Sequence, residues 1–294
     1  MYKRQALESP LTLDPSDWTF SRSSPREEYA PLYAPAIVPG HAEILRFPRG
    51  DRVAVLAAFR TPQDTTRHGR HDHHPPFAPA ERFRGDSAQA GLFLIPLDGG
   101  DAREARGSGS GEGALLLEAP AGAYLASSEV WLPQRGFAAR VRQGLGAPAT
   151  PPGRLTLSDL VLLRRVLADS VTLEQAVEAV RPPGPVPATE AFAVGWEVYG
   201  VGTRGEVLSY DLSVTRTEGG FFRRVGELLR LSQRQEPLRL AWEEAGPDGP
   251  APVFRTLELQ IPALDPGEYV LRLEVTTRSG GVLASERLLH VTVP

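Results

Sequence analysis

Between Leu264 and Val275 the chain reads as a turn that feeds an alternating strand. Tyr269, Leu271, Leu273 and Val275 fall on one face and Val270, Arg272, Glu274 and Thr276 on the other, the period of a half-buried strand. The same period recurs upstream at Phe192, Val194, Trp196 and Val198, and again at Leu208, Tyr210, Leu212 and Val214, with a turn predicted at 202–205 between them. Further strands are expected at Leu238-Leu240-Trp242, at Leu257-Leu259-Ile261, and at Leu289, Val291 and Val293 after the Gly280-Gly281 turn. In the first half, apolar runs at 42–47 and 52–59 are split by Pro48-Arg49-Gly50-Asp51, and strands are read at 91–95, 114–118 and 122–131, with the chain returning through 137–145 after a turn at 133–136.

Helical period is rarer. Leu173, Ala176, Val177 and Val180 lie at i, i+3, i+4 and i+7 behind Thr172 and Gln175, which predicts a short capped helix. Phe222, Val225, Leu228 and Leu229 predict a second. The run 155–166 is apolar without a deciding period, so strand and helix both stay open there. Residues 98–113 are Gly, Ser and charge, and predict a connector with a flexible Gly107-Ser108-Gly109-Ser110-Gly111 tract.

Gly122, Tyr124, Glu129 and Val130 repeat the internal spacing of Gly267, Tyr269, Glu274 and Val275, which predicts two related domains. The segmentation expected is a leading Pro/Ser-rich stretch over 1–40, a first β-sandwich over 41–150 carrying a long loop at 60–90, a connector with a short helix over 151–187, and a second β-sandwich over 188–294. A strand, a Pro-Gly turn and a Tyr two residues after the Gly resemble the tyrosine corner of immunoglobulin-like and fibronectin type III sandwiches. The fold class expected is therefore mainly β, two tandem immunoglobulin-like antiparallel β-sandwiches with one or two short helices. The resemblance implies that Tyr269, and by the repeat Tyr124, return their hydroxyls to nearby backbone.

Composition narrows the function. A chain of 294 residues with 41% hydrophobic content is long enough for two cores. A net charge of −4 lacks the basic excess that phosphate backbones require, so nucleic acid is not an expected partner. No run approaches the length of a membrane span, and the absence of cysteine removes disulfides and thiolate chemistry. Met1 and Lys3, the sole Met and the sole Lys, both lie in Met1-Tyr2-Lys3-Arg4-Gln5, which reads as a non-native scar ahead of a C-terminal fragment.

Candidate chemistry concentrates in one place. His68, His71, His73 and His74, with Asp64 and Asp72 beside them, put four of the six histidines into the 60–90 loop. Imidazoles with carboxylates suit Zn, Ni or Cu, yet the spacing fits no standard site and Pro75-Pro76 favours extended chain. A solvated loop, adventitious metal binding and a catalytic metal are all open. There is no nucleophile elbow and no phosphate-cradling Gly loop, so no catalytic residue and no cofactor is assigned. Trp18, Trp131, Trp196 and Trp242 separate two further readings, since a carbohydrate-binding module would turn aromatics to solvent on one sheet face.

The ordered segments Leu155-Thr156-Leu157-Ser158-Asp159-Leu160, Trp196-Glu197-Val198-Tyr199-Gly200, Leu240-Ala241-Trp242-Glu243-Glu244 and Pro266-Gly267-Glu268-Tyr269 resemble the C-terminal half of large bacterial proteins that bear a Gly-Trp-x-Thr-Asp domain. The resemblance spans roughly residues 40 to 294 and implies an exported, extracytoplasmic protein with other domains upstream. It transfers no active site. The function expected is non-catalytic: structural or protein-interaction modules of a larger protein, with a ligand- or carbohydrate-binding module as the alternative and a metal-dependent enzyme on the His loop as the third. Partners expected are other domains of the parent protein or other proteins.

Overall fold

A computed structural model describes residues 36–61, 88–109, 111–132, 137–151, 153–168, 171–200, 206–217, 238–246, 251–259, 264–278 and 280–293. The chain divides into two compact units. One comprises Met1–Arg46, Asp51–Ala149 and Val180–Pro183, and the other Phe47–Gly50, Thr150–Ala179 and Gly184–Pro294.

The first unit is built from β1 (Ala36–Pro39), β2 (His41–Arg49), β3 (Arg52–Arg60), β4 (Ala88–Pro96), β5 (Arg103–Gly109), β6 (Glu112–Pro120), β7 (Gly122–Leu132) and β8 (Phe137–Ala147). They form a five-stranded sheet in the order β1-β8-β7-β4-β5 and a three-stranded sheet β2-β3-β6. The ladders β4–β5, β4–β7, β7–β8 and β3–β6 are antiparallel, and β1 lies parallel to β8. Alternate positions from both sheets meet in one core, with Val53, Val55 and Ala57 of β3 among Leu92, Leu94, Tyr124, Ala126 and Leu145. Burying such side chains is the main term that holds two sheets face to face, at roughly 1.5–3 kcal/mol for each large one.

Two of these strands depart from the sequence expectation. Residues 103–109, predicted as connector, pair along their length with β4. An edge strand needs only backbone partners, so Gly, Ser and charge suffice there, and apolar alternation never signalled it. Ala36–Pro39, within the stretch read as linker, adds a fifth strand by pairing with Phe137–Arg140.

The second unit contains β9 (Thr156–Leu157), β10 (Val161–Leu163), helix α1 (Leu173–Ala176) running into a 3₁₀ turn (Val177–Ala179), β11 (Val186–Pro187), β12 (Phe192–Tyr199), β13 (Val207–Arg216), β14 (Leu238–Ala245), β15 (Val253–Leu259), β16 (Gly267–Thr277) and β17 (Val282–Thr292). The larger sheet runs β11-β17-β16-β13-β14, and the smaller runs β10-β12-β15 with β9 also on β12. Thus 155–166 resolves to two short strands. Both pair with β12, which leaves them too little length for a period to show. The helix forms where its cap predicts it, with Gln175 Oε1 accepting from the Thr172 amide at 3.0 Å and Leu173 and Ala176 buried. Phe192, Val194, Trp196 and Val198 face Leu208, Tyr210, Leu212 and Val214 across the core, joined by Tyr269, Leu271, Leu273 and Val275. The 202–205 turn, the helix predicted around Phe222 and the 133–136 turn lie outside the described residues.

Strand order matches between the units, five-stranded sheet with five-stranded and three-stranded path with three-stranded. Each unit also carries the corner expected of it. Tyr269 Oη donates to the Asp265 carbonyl at 2.8 Å and Tyr124 Oη to the Pro120 carbonyl at 2.7 Å, both rings buried at the start of the penultimate strand. Two packed sheets, a shared strand order and a tyrosine corner in each make both units immunoglobulin-like β-sandwiches.

Candidate functional site

In the second unit the described part of β14 pairs with β13 on one side, and among the described residues no strand pairs with its other side. Such an edge presents a row of backbone donors and acceptors to whatever strand approaches. The in-phase register with β13 sets Trp242 beside Tyr210, Leu240 beside Leu212 and Leu238 beside Val214. Tyr210, Leu212 and Val214 are core residues, so β14 carries the apolar layer outward past the core. Leu238 and Leu240 are 38% and 39% exposed.

Rings anchor this layer. The Tyr210 and Trp242 planes are stacked at 5.0 Å and 8°, and Trp196 leans on both at 5.8 and 6.1 Å. Burial pushes the Tyr210 phenol up to about 12, and the Glu244 carboxylate adds to the shift. At this end Arg255 of β15 pairs with Glu244 of β14, so the two edge strands are bridged near Trp242. Among the described residues no ion pair bridges the two sheets at Leu238 and Leu240. Trp242 is half-buried, and Trp131 and Trp196 are buried. No aromatic stands among the large exposed hydrophobics of the described residues, which is the feature a carbohydrate platform needs.

The other face of the same sheet is solvated charge. Arg239 of β14 grips Asp211 of β13 through Nε at 2.9 and 2.8 Å, and the hydrogen bond holds the Asp211 carboxyl below its ordinary range. Ser209 Oγ donates to Glu243 at 3.3 Å, and Arg272 pairs with Glu274 and Glu286. Apart from the Ser209 hydroxyl bond these are ion pairs at the surface, each worth little by itself.

A second polar locus in this unit involves Arg49, since the end of β2 at Phe47–Gly50 belongs to it; Arg49 is half-buried, Glu197 buried and Glu174 exposed. Arg49 is bidentate to Glu197, Nε to Oε2 at 2.9 Å and Nη2 to Oε1 at 2.7 Å, and its Nη1 reaches Glu174 at 2.7 Å. Burial opposes the arginine charge, but the two carboxylates outweigh it and hold the guanidinium protonated beyond its ordinary range. For Glu174 burial pushes upward, and the bond from Arg49 overcomes it and keeps the carboxyl low. These side chains line a cavity of about 180 Å³ with Thr172 and Phe254. Each charged side chain among its described lining residues is already paired.

The first unit buries charge on the outer face of its larger sheet. Ser127 Oγ donates to Glu129 Oε1 at 2.8 Å, Arg140 Nε lies 3.4 Å from the same oxygen, and Arg142 donates to Ser127 at 3.4 Å. Glu129, Arg140 and Arg142 are 2%, 4% and 6% exposed. Sequence reading missed this cluster because Ser127-Ser128-Glu129 and Arg140-Val141-Arg142 look like solvated strand faces. The available signal was opposite charge at facing positions on consecutive strands.

His68, His71, His73 and His74 lie outside the described residues, as does Trp18. Among the described residues no three His, Cys, Asp or Glu side chains gather as a metal site would require. No helix among them is long and apolar enough to cross a membrane.

No family model matches the chain and no curated protein matches it. Distant likenesses appear among solved structures. Red sea bream transglutaminase is 8% identical, with 86% of this chain and 32% of that chain covered at a TM-score of 0.26. A structure described as bearing on host cell surface retention of a 1.5-MDa bacterial ice-binding adhesin is 10% identical, covering 88% and 67% at 0.25. The FN1–FN3 domains of chicken CNTN1 are 10% identical, covering 87% and 69% at 0.24. The chain thus spans about a third of the transglutaminase. Likenesses at this distance carry no functional argument, and the fold assignment stands on strand order and the tyrosine corners.

Proposed function

We propose that this chain is a pair of non-catalytic β-sandwich modules that serve protein interaction within a larger exported bacterial protein, and that β14 is its binding element. The observation that carries the reading is the apolar edge of β14, unpaired among the described residues, with Leu238 and Leu240 exposed beside a ring-stacked base. Strand addition to a sheet edge uses main-chain hydrogen bonds for affinity and alternate side chains for selectivity. An edge strand of 8 residues without Pro or Gly offers both. The parent architecture, with further domains upstream and an extracytoplasmic location, rests on the resemblance to proteins bearing a Gly-Trp-x-Thr-Asp domain.

The test uses a capped peptide of about eight residues that alternates Val and Thr, matched in length to β14, and a control with Pro at its centre. Amide exchange across Leu238–Ala245 should slow on adding the first peptide and stay unchanged with the second. Equal exchange with and without the first peptide, at peptide concentrations up to about a millimolar, removes the edge reading.

A further inference from the structure

The sequence of β14 is complementary to itself when reversed. On the solvated face it carries Arg239, Ala241 and Glu243, and on the apolar face Leu238, Leu240, Trp242 and Glu244. Two copies of β14 laid antiparallel and centred on Ala241 put Arg239 of each opposite Glu243 of the other. The same register puts Leu240 opposite Trp242 on the apolar face. A one-residue slip would set each apolar row on the other copy's charged face, and a two-residue slip separates Arg239 from Glu243.

We infer that the partner of this edge is a second copy of the chain, with β14 pairing antiparallel to β14 about a two-fold axis through Ala241, which joins two five-stranded sheets into one. This inference rests on the edge reading above and names its partner. A two-fold interface is isologous, so each cross-strand contact occurs twice and one favourable pair counts double. Opposite charges directly across an antiparallel pair stabilise it, and like charges there destabilise it. Arg239 already holds Asp211 of its own sheet, so Glu243 of the second copy would extend an ordered row of alternating charge. Leu238 and Leu240, exposed in the single chain, would be covered by Glu244 and Trp242 of the other copy.

The edges on the equivalent side of the first sandwich show the contrast. There β5 has Arg103, Ala105 and Gly107 on its inward face and Glu104, Arg106 and Ser108 on the other, without a large apolar side chain on either. That is an edge blunted against pairing. The β14 edge instead carries exposed Leu238 and Leu240, and among the described residues no strand pairs with it, so the self-complementary strand is also the one with apolar side chains to cover.

The experiment is sedimentation equilibrium on the full chain, with Arg239→Glu, Glu243→Arg and the double exchange. The natural chain should show a monomer–dimer equilibrium. Each single reversal puts like charges opposite one another twice and should weaken association at least about tenfold. The double exchange rebuilds the pairs with their signs swapped and should recover the natural dissociation constant within about threefold. Arg239→Glu also loses the ion pair with Asp211, so Glu243→Arg, whose own-chain partner among the described residues is the Ser209 hydroxyl, serves as the second variant, with thermal unfolding as the fold control. A chain that stays monomeric to about a millimolar, single reversals that leave association unchanged, or a double exchange that fails to recover it would each overturn the inference. A monomeric chain whose β14 still takes up the Val-Thr peptide would sink the second-copy partner and leave the edge reading standing. Failure of both would remove both.

Discussion

The two sandwiches share strand order and a tyrosine corner, and they differ in the side chains hung on corresponding positions. Val130 of β7 neighbours Ala90, which neighbours Gly107, while Val275 of β16 neighbours Tyr210, which neighbours Trp242. One row further, Ser128, Leu92 and Ala105 correspond to Leu273, Leu212 and Leu240. Toward the edge the first sandwich shrinks to Gly and Ala, and a Cβ on Gly107 would come within 3.0 Å of Leu115 on β6, so the opposite sheet closes on it. In the second sandwich the corresponding rows end in Trp242 and Leu240, which make the edge apolar. The outer faces invert this. Glu129 sits buried between arginines, whereas Glu274, its counterpart in the repeat, lies in an exposed pair with Arg272. One backbone plan thus carries different costly features in the two sandwiches: buried charge on a sheet face in the first, and an apolar edge unpaired among the described residues in the second.

The largest expected effect breaks the comparison at its charged end. Glu129→Gln keeps the shape and removes the one carboxylate among the described residues that Arg140 approaches, which leaves a buried guanidinium uncompensated. Breaking a buried pair from one side costs about 3–5 kcal/mol, whereas an exposed pair is worth about 0–1 kcal/mol. Chemical denaturation should therefore show a loss of about 3 kcal/mol or more in the first sandwich for Glu129→Gln, and less than about 1 kcal/mol in the second for Glu274→Gln. Equal losses would show that the two outer faces do the same job.

That buried glutamate also marks where sequence reading stops. Alternation located β12, β13 and β16 because each has one face in a core, and the Gly-x-Tyr spacing, Gly122 to Tyr124 and Gly267 to Tyr269, located both corners because the turn fixes the ring's approach. Burial of Glu129, Arg140 and Arg142 depends on what covers an outward face, which no period within one strand encodes. The β5 edge escaped for a related reason. Its pairing with β4 is made by backbone, and Arg103-Glu104-Ala105-Arg106-Gly107 carries no apolar row to announce it. The repeat itself was legible, but it equated Glu129 with Glu274 by spacing and so could not foresee their opposite environments. The β14 edge was visible only as a strand, since exposure of Leu238 and Leu240 follows from the absence of a paired strand beyond them among the described residues. The histidine loop offers no comparison, because it lies outside the described residues.

A second, smaller effect follows from Tyr210, which has Ala90 at the corresponding place in the first sandwich. Its phenol ionises near 12 in the folded chain, against about 10 for a free tyrosine. A raised folded value contributes stability that is complete below pH 10 and is lost as pH climbs from 10 through 12. Two units correspond to about 2–3 kcal/mol. Alkaline titration of unfolding should weaken the second sandwich by about that much across this window, and Tyr210→Phe should remove most of the slope. An unchanged slope in the variant would mean that the ring pair with Trp242 is no more sheltered from water than the surface.

The smallest effect tests the feature the sandwiches share. Tyr124 and Tyr269 each spend a hydroxyl on a carbonyl four residues back, at 2.7 and 2.8 Å, with rings 4% and 1% exposed. Tyr→Phe keeps the ring in its core and deletes one hydrogen bond, which costs about 1 kcal/mol, with more where the carbonyl is left without water. Because distance and burial are nearly equal, Tyr124→Phe and Tyr269→Phe should cost the same within about 0.5 kcal/mol, each in its own sandwich. The corners would then be one device used twice, indifferent to whether charge or apolar surface lies at the far end of the strand. A loss at Tyr269 with none at Tyr124 would instead tie the corner's strength to its sequence, since Pro266-Gly267 leads into β16 where Ala121-Gly122 leads into β7. The carbonyl accepted from differs in the same way, Asp265 in one and Pro120 in the other, so exchanging the two turn sequences between the sandwiches would show whether the imbalance travels with the turn.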